Sequence, residues 1–420
     1  MSIEELSQTF QDSISSFINC FCQPKATLKL NGRNFKIVKL LGEGGFSYVY
    51  LTQDLSSGRL FALKKIRCPL GSDSVKEALK EVEAYRRFRH PNIIRCLDSC
   101  VVQDKDGDGK VVYLFLPYYG RGNLQDLVNS HTDISPIPEQ DILTYFLGTA
   151  KAVAAMHRYI PKKGTLADSY PPNTSQLESE TATINGRFDR KGKGRQSVME
   201  EEEDDNFEGI KTEEERQEAP LMGKMAFNAV AREEAPTPDE TGPSQSIQEG
   251  DNTLGEIEPW AHRDLKPANV MISDEGEPIL MDFGSAVKAI IEIPNRSVAL
   301  QQQDLAAEHS SMPYRAPELF DVKTGEPLTE AVDIWSLGCV LFCLAYGHSP
   351  FETIDTVEQG GSMALAVMNG SWKFPNQDSR GYSEGFKNLI KQMLVVDPKL
   401  RPQIEEIIQS VEALLNELGS

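Results

Sequence analysis

His262-Arg263-Asp264-Leu265-Lys266-Pro267-Ala268-Asn269 is the stretch on which the rest of the chain depends. Asp, Lys, Pro and Asn are ordinary loop formers, so the loose pattern D-x-K-x-x-N alone reads equally well as a solvated turn. The full pattern H-R-D-x-K-x-x-N specifies five positions and should arise by chance roughly once in thousands of chains of this length. An Asp that can accept a hydroxyl proton and an Asn five residues later that can hold a metal ion demand further groups elsewhere.

The totals leave room for them. A chain of 420 residues allows one large two-lobed domain or two smaller ones. The net charge of −20 argues against a nucleic-acid binder, whose phosphate contacts need clustered Lys and Arg. Half of that charge is local: residues 161–256 hold 11 Lys and Arg against 22 Asp and Glu, a net of −11. Seven cysteines, with no C-x-x-C, suggest neither a disulfide framework nor a zinc site, and a reducing cytosolic setting is expected. No run of ~18 apolar residues exists to span a membrane, and no basic region followed by an apolar one opens the chain.

Ile3, Leu6, Phe10, Ile14, Phe17 and Phe21 recur at helical spacing, and Cys20 and Cys22 sit where that stripe ends. Cysteines beside an amphipathic helix can be S-palmitoylated, and two acyl chains give stable anchoring where one gives only marginal binding. The other reading is a helix packed on the domain with two incidental thiols. Glu4, Glu5 and Asp12 would not attract an anionic leaflet, and Ser2 stands where N-myristoylation requires glycine.

The octet resembles the catalytic loop of eukaryotic protein kinases, and its companions follow in order. Phe35–Leu41 reads as a strand, followed by Gly42-Glu43-Gly44-Gly45-Phe46-Ser47-Tyr48-Val49. G-x-G-x-x-S alone is weak, since a plain hairpin turn or a dinucleotide fingerprint competes. The fingerprint needs a helix inside the glycines, and Tyr48–Leu51 looks like a second strand, so the loop reads as a lid whose backbone approaches phosphate. Phe61-Ala62-Leu63-Lys64 supplies a strand lysine, and a helix from about Ser74 to Phe88 carries Glu77, Glu81 and Glu83. Glu81 stands ten residues before Pro91, where the kinase pattern puts the glutamate that pairs with this lysine. Asp104–Gly109 begins like a calcium loop but lacks the closing Glu, so a hairpin tip is expected. Val111–Leu116 is an apolar strand, and Pro117-Tyr118-Tyr119 would connect the lobes. The resemblance implies that Leu116 is the gatekeeper and that Val49, Ala62, Met271 and the connecting backbone surround an adenine.

Leu124–Val128 and Gln140–His157 have helical periodicity, the second strongly apolar. The octet, which in most kinases follows such a helix closely, waits until His262. Residues 161–256 are rich in Glu, Asp, Ser, Thr, Pro and Gly and read as a disordered acidic insertion. Such an insertion costs only about 2 to 3 kcal/mol in loop-closure entropy. Its basic cluster Arg187–Arg195 and Thr237-Pro238 are either solvated linker or, for the threonine, a phosphosite. Beyond the octet come Asp282-Phe283-Gly284, Ala316-Pro317-Glu318, a buried helix opened by Asp333-Ile334-Trp335, and Arg401, placed to pair with Glu318.

Together these motifs predict an α+β, bilobal protein-kinase fold with an antiparallel-sheet N-lobe and a mostly helical C-lobe. The segments are an N-terminal piece 1–32, an N-lobe 33–116, hinge and first C-lobe part 117–160, insertion 161–256, remaining C-lobe 257–415 and tail 416–420. Leu41–Val49, Ala307–Phe320 and Asp333–Val340 resemble the numb-associated kinase family, most closely its serine/threonine kinase 16 branch. That resemblance implies transfer from ATP with Mg2+ to Ser or Thr of protein substrates. Asp264 would be the base, Lys266 would touch the γ-phosphate, and Ser311 would support both. Lys64 with Glu81 would hold the other phosphates, and Asn269 and Asp282 the metals. It further implies a helical activation segment, acylated cysteines at Cys20 and Cys22, and peripheral contact with Golgi, endosomal or vacuolar membranes. Ser285, Ser297 and Ser310 are candidate phosphosites that Arg263 could receive. The alternative is a pseudokinase scaffold binding partners through its insertion. Substrate identity, oligomeric state and the need for phosphorylation do not follow from the sequence.

Overall fold

A computed structural model describes residues 27–44, 47–69, 72–104, 109–131, 135–161, 219–220, 256–352, 362–375 and 380–419. Two compact units are present. The larger takes in every element below, and the second, Ile160–Gln217 with Ile247–Glu256, lies almost wholly outside the described residues. So do the helical stripe with Cys20 and Cys22, the basic cluster and Thr237.

The N-lobe is one antiparallel sheet. Strands β1 (Thr27–Leu30), β2 (Arg33–Glu43), β3 (Ser47–Asp54), β4 (Leu60–Cys68), β5 (Asp98–Gln103) and β6 (Lys110–Pro117) lie in the order β1-β2-β3-β4-β6-β5. Beyond β5, Ala219–Pro220 (β7) pairs with Cys100 and Val101. The sheet begins before residue 33, where the sequence pattern placed its edge. Asn31 and Gly32, at φ 49° and 75°, make the left-handed two-residue turn that Asn-Gly favours in a hairpin. That turn reaches across the lobe, where Asn31 Nδ2 donates to Asp98 Oδ2 at 2.7 Å. Leu30, Phe35, Phe61, Leu63, Cys100, Val111, Tyr113 and Phe115 are thereby gathered into a small core of their own.

Alternate residues of β6 point the other way, and Val112, Leu114 and Leu116 join the main core with helix α1 (Ser72–Arg87). Ala78, Val82, Ala84 and Tyr85 bury the inner face of α1, and Glu81, on the same face, is carried inside with them. Asp104 N–H donates to Gly109 O at 2.9 Å, closing the expected hairpin tip between β5 and β6.

In the C-lobe, α2 (Leu124–Ser130) is closed by a reciprocal cap between Asn123 and Asp126. α3 (Glu139–His157) buries Ile142, Leu143, Phe146, Ala150, Val153 and Met156. Short strands β8 (Trp260–Ala261), β9 (Val270–Ile272), β10 (Pro278–Leu280) and β11 (Val287–Lys288) form two antiparallel pairs, β9 with β10 and β8 with β11. They are followed by α4 (Arg296–His309), α5 (Ala331–Tyr346), α6 (Met363–Met368), α7 (Glu384–Met393) and α8 (Ile404–Leu418). α5 is apolar on every side, and all of Val332–Tyr346 is buried, so it is the axis on which the other helices pack. Gly347, at φ 87°, ends it in the left-handed conformation.

One ion pair ties this axis to the segment before it. Arg401 Nη1 and Nη2 donate to Glu318 Oε1 and Oε2 at 2.7 and 2.8 Å, and Nη1 also donates to Ala331 O. The guanidinium lies fully buried at 5.1 Å from the Trp335 ring. Arg401→Leu, which leaves Glu318 unpaired in the interior, should cost about 3–5 kcal/mol. Urea unfolding of the variant against the parent measures it, and a loss below ~1 kcal/mol would contradict the assignment.

Candidate active site

The loop His262–Asn269 is held from beneath by one carboxylate. Asp333, at the start of α5 and fully buried, accepts the main-chain N–H of His262 at 2.7 Å and of Arg263 at 2.9 Å. His157 Nε2, from the last residue of α3, adds a third bond at 3.1 Å. Burial alone would raise the Asp333 pKa, but these bonds and the nearby His262 hold it below the ordinary carboxylate range. They also fix an uncommon backbone, since Arg263 sits at φ 65°. His262 Nδ1 accepts from Asp264 N–H at 3.3 Å, so its Nε2 carries the proton given to Met281 O at 3.1 Å. The imidazole thus joins the loop to the strand end that carries Asp282.

Asp264 is gripped on both oxygens. Ser311 N–H donates to Oδ1 at 2.9 Å, and Lys266 Nζ donates to Oδ2 at 2.8 Å. Asn269 Nδ2 donates to the Asp264 carbonyl at 2.7 Å and to Oδ2 at 3.1 Å. Lys266 Nζ also donates to Ser311 Oγ at 2.8 Å. The structure therefore brings together Asp264, Lys266, Asn269 and Ser311 as a single hydrogen-bonded group.

A second group forms where the lobes face each other. Lys64 on β4 puts its Nζ 2.6 Å from Glu81 Oε1 and 3.0 Å from Asp282 Oδ1. Burial would lower the Lys64 pKa, but the two carboxylates raise it well above the usual lysine range, so the ammonium stays charged. Asp282 is held below the ordinary range, chiefly by Lys64. Glu81 is pushed up by burial, with Asp282 adding to the rise and Lys64 opposing it. Among the three glutamates of α1 the structure selects Glu81: Glu77 pairs with Lys80 at 2.7 Å, and Glu83 lies 4.0 Å from Arg87. Phe283, just after Asp282, packs edge-on against Tyr85 at 5.1 Å and against Phe88 and His262.

The residues expected to meet a nucleotide are placed as follows. Gly42 and Glu43 pair with Val49 and Tyr48, and Gly44 N–H donates to Ser47 O at 2.8 Å, while Gly45 lies outside the described residues. Ala62 stands opposite Leu116, and Phe61 opposite Pro117. Leu116 is buried, whereas Val49, Ala62, Met271, Tyr118 and Tyr119 are half-buried.

Several contributors went unread in the sequence. His157 looked like the end of an apolar helix, and nothing local marks it as a partner of Asp333. Two residues far apart in the chain are clamped together, Glu258 N–H donating to Tyr159 O at 2.8 Å. Arg87 lies over the Trp260 ring at 4.0 Å, with the Tyr159 ring at 5.7 Å, so the clamp rests on the C-terminal end of α1. Arg315 donates to Ser310 Oγ at 2.7 Å, which places a different arginine from Arg263 beside that serine. Arg263 itself is buried against Gln302 of α4, the helix that the resemblance implied for the activation segment.

A family profile described as "Protein kinase domain" matches residues 35–160 and 258–411, the two stretches that build this site. The chain belongs to the protein kinase family. It is 30% identical to serine/threonine-protein kinase ENV7 of Saccharomyces cerevisiae, over 94% of this chain and 96% of that one. It is 29% identical to serine/threonine-protein kinase ppk13 of Schizosaccharomyces pombe over 92% of each, and 28% identical to human serine/threonine-protein kinase 16 over 94% of each. As an enzyme it is a serine/threonine protein kinase, of a family that works with ATP and a divalent metal. The donor set fits such a metal. Asn269 spends its amide N–H on Asp264, which leaves its carbonyl oxygen as a hard ligand, and Asp282 offers the carboxylate oxygen that Lys64 does not take. No group of three His, Cys, Asp or Glu that could hold a metal occurs among the described residues.

The depressed pKa of Asp333 has a sign. Its stabilisation is fully present above the unfolded-state value of about 3.9 and is lost as pH falls through the lower folded value. Asp333→Asn should therefore be less stable than the parent at pH 7, with the gap closing as pH falls from about 4 toward 2. Urea midpoints at several pH values test this, and a gap independent of pH would contradict it.

Proposed function

We propose that this protein transfers the γ-phosphoryl group of ATP, with Mg2+, to serine or threonine hydroxyls of proteins through the residues assembled at Asp264 and Lys64. The observation that carries the reading is the Lys64 ammonium between Glu81 and Asp282, with Asp264 held by three donors in the same unit. Asp264 orients the substrate hydroxyl and accepts its proton as the oxygen bonds to phosphorus and the bond to the β-phosphate oxygen breaks. Lys266 neutralises charge on the moving phosphoryl group, and Ser311 keeps Lys266 and Asp264 in register. Lys64, aimed by Glu81, holds the α- and β-phosphates, while backbone N–H groups of Gly42–Gly45 cover them. Val49, Ala62, Leu116 and Met271 enclose the adenine, and backbone groups of Pro117–Tyr119 read its edge. When bound at Asn269 and Asp282, Mg2+ supplies charge neutralisation for the phosphates.

Within the kinases we place the chain in the numb-associated family, on the serine/threonine kinase 16 branch. The motifs Leu41–Val49, Ala307–Phe320 and Asp333–Val340 and the similarity to human serine/threonine-protein kinase 16 support this. On that reading Cys20 and Cys22 carry acyl chains, and the enzyme works peripherally on Golgi, endosomal or vacuolar membranes in trafficking. No described helix is long and apolar enough to cross a membrane, so a tether of this kind would be the means of attachment.

Asp264→Asn should lower phosphate incorporation into a generic basic protein by about 10²–10⁴-fold. Equal incorporation by that variant would instead support the scaffold reading. Cys20→Ser with Cys22→Ser should release the protein from the membrane fraction and abolish acyl exchange. Unchanged membrane recovery would refute the tether.

A further inference from the structure

The small core of the N-lobe continues past the strand that helps to close it. Leu28 and Leu30 of β1 pack with Phe35, Phe61, Leu63 and Phe115. On the same face of the sheet, Leu40 of β2 stands opposite Tyr50 of β3, and Tyr50 opposite Leu63 of β4. Tyr48, two residues along β3, shares that face, and its ring stacks beside that of Tyr50 with centroids 6.2 Å apart. Leu63 is fully buried, yet Leu40 is 48% exposed, and Tyr48 and Tyr50 are half-buried. Three large side chains thus carry the core out to the surface, on the two strands that lead into the glycine-rich turn.

The pairing of β1 says which part of the chain arrives there. Thr27 lies opposite Lys36 and Leu30 opposite Arg33, so the backbone before Thr27 heads along β2 toward Lys39 and Leu40. Leu40 is four residues past Lys36, ~13 Å at strand rise, and the six residues from Phe21 to Thr27 can span up to ~20 Å. Residues 1–26 lie outside the described residues, and their sequence carries the one-sided stripe Ile3, Leu6, Phe10, Ile14, Phe17 and Phe21. The charges beside that stripe favour a protein surface over a lipid one. Helices that lie in a membrane interface carry Lys and Arg on the polar face. Here Glu4, Glu5 and Asp12 are the side-chain charges, and the first basic residue is Lys25.

We infer that the N-terminal segment docks as a helix on this face of the N-lobe, with Ile14, Phe17 and Phe21 over Leu40, Tyr48 and Tyr50. From Ile14 to Phe21 a helix rises ~10 Å, which matches two strand spacings of ~4.8 Å. The occupant is the chain's own segment, delivered by β1, and the contact does not depend on acyl chains at Cys20 and Cys22. A second copy of the chain and a lipid surface are the other partners such a stripe can meet, and the experiment separates them.

The test uses the full chain made in bacteria and verified free of acyl chains by intact mass, with p-benzoylphenylalanine at position 17. Irradiation should join position 17 to a peptide holding Leu40 or Tyr48–Tyr50 within one chain. Leu40→Asp should reduce that product at least fivefold, with α5 amide exchange unchanged as the check on folding. Phe17→Asp, made outside the described lobe, should speed amide exchange in residues 3–21 about tenfold and leave α5 as it was. Cross-links between two chains would assign the face to a second copy. Protection of residues 3–21 that appears only with phosphatidylcholine–phosphatidylserine vesicles would assign the stripe to a membrane. Either result overturns the inference, as would fast exchange of residues 3–21 in the wild type or a cross-link to any other surface.

Discussion

The Asp333 carboxylate is the contact on which the site depends. A fully buried charge is tolerated only where hydrogen bonds replace its hydration, and the bonds it takes are main-chain N–H groups of the loop it supports. The same bonds hold Arg263 in a backbone region that a non-glycine residue enters only when its surroundings impose it. Asp264 can present both oxygens to fixed donors because the residue before it cannot relax. The position of α5, buried along nearly its whole length, is thereby transmitted to the reacting group with no flexible link.

The Lys64 cluster obeys a different constraint. Its charges come from β4, from α1 and from the end of β10, so it exists only when the two lobes and the helix between them are in register. Three packed layers keep it so: Tyr85 and Phe88 of α1 against Phe283, Phe88 against Tyr159 and Trp260, and Arg87 over Trp260. Tyr159 and Trp260 lie at the facing ends of the two stretches that match the kinase profile. The backbone bond between Glu258 and Tyr159 thus lies against the end of α1, with Trp260 two residues before His262. The two stretches that match the kinase profile are joined there by a backbone hydrogen bond and by aromatic contacts with α1.

Much of this was legible in the linear order of residues. The octet, the glycine-rich loop, Lys64 and Asp282 could be read because phosphoryl transfer needs those groups at short, fixed spacings, α3 because it buries apolar residues at helical period, and α5 because a continuous apolar run follows Asp333. Choosing Glu81 over Glu77 and Glu83 needed the spacing to Pro91 as well as the helix face. The sheet edge lies at β1, before residue 33, and Asn31-Gly32 is a strong hairpin signal for it that the helical apolar stripe just upstream masks. His157 and Gln302 gave no signal, since one ends an apolar helix and the other sits among three glutamines.

The sequence by itself determined the fold class, the kinase class and which residues are candidates for the site, because motif spacing and apolar period are properties of neighbouring positions. Only the tertiary structure decided what holds those residues still. Asp333 finds His157 across 176 positions, Lys64 finds Asp282 across 218, and Arg263 finds Gln302 across 39. Such pairings arise from how helices and strands pack, and a buried polar group meets whichever partner the packed core brings within about 3 Å. The reacting groups of the loop are written in eight consecutive residues, whereas its rigidity is written in the packing of α3, α4 and α5 around it.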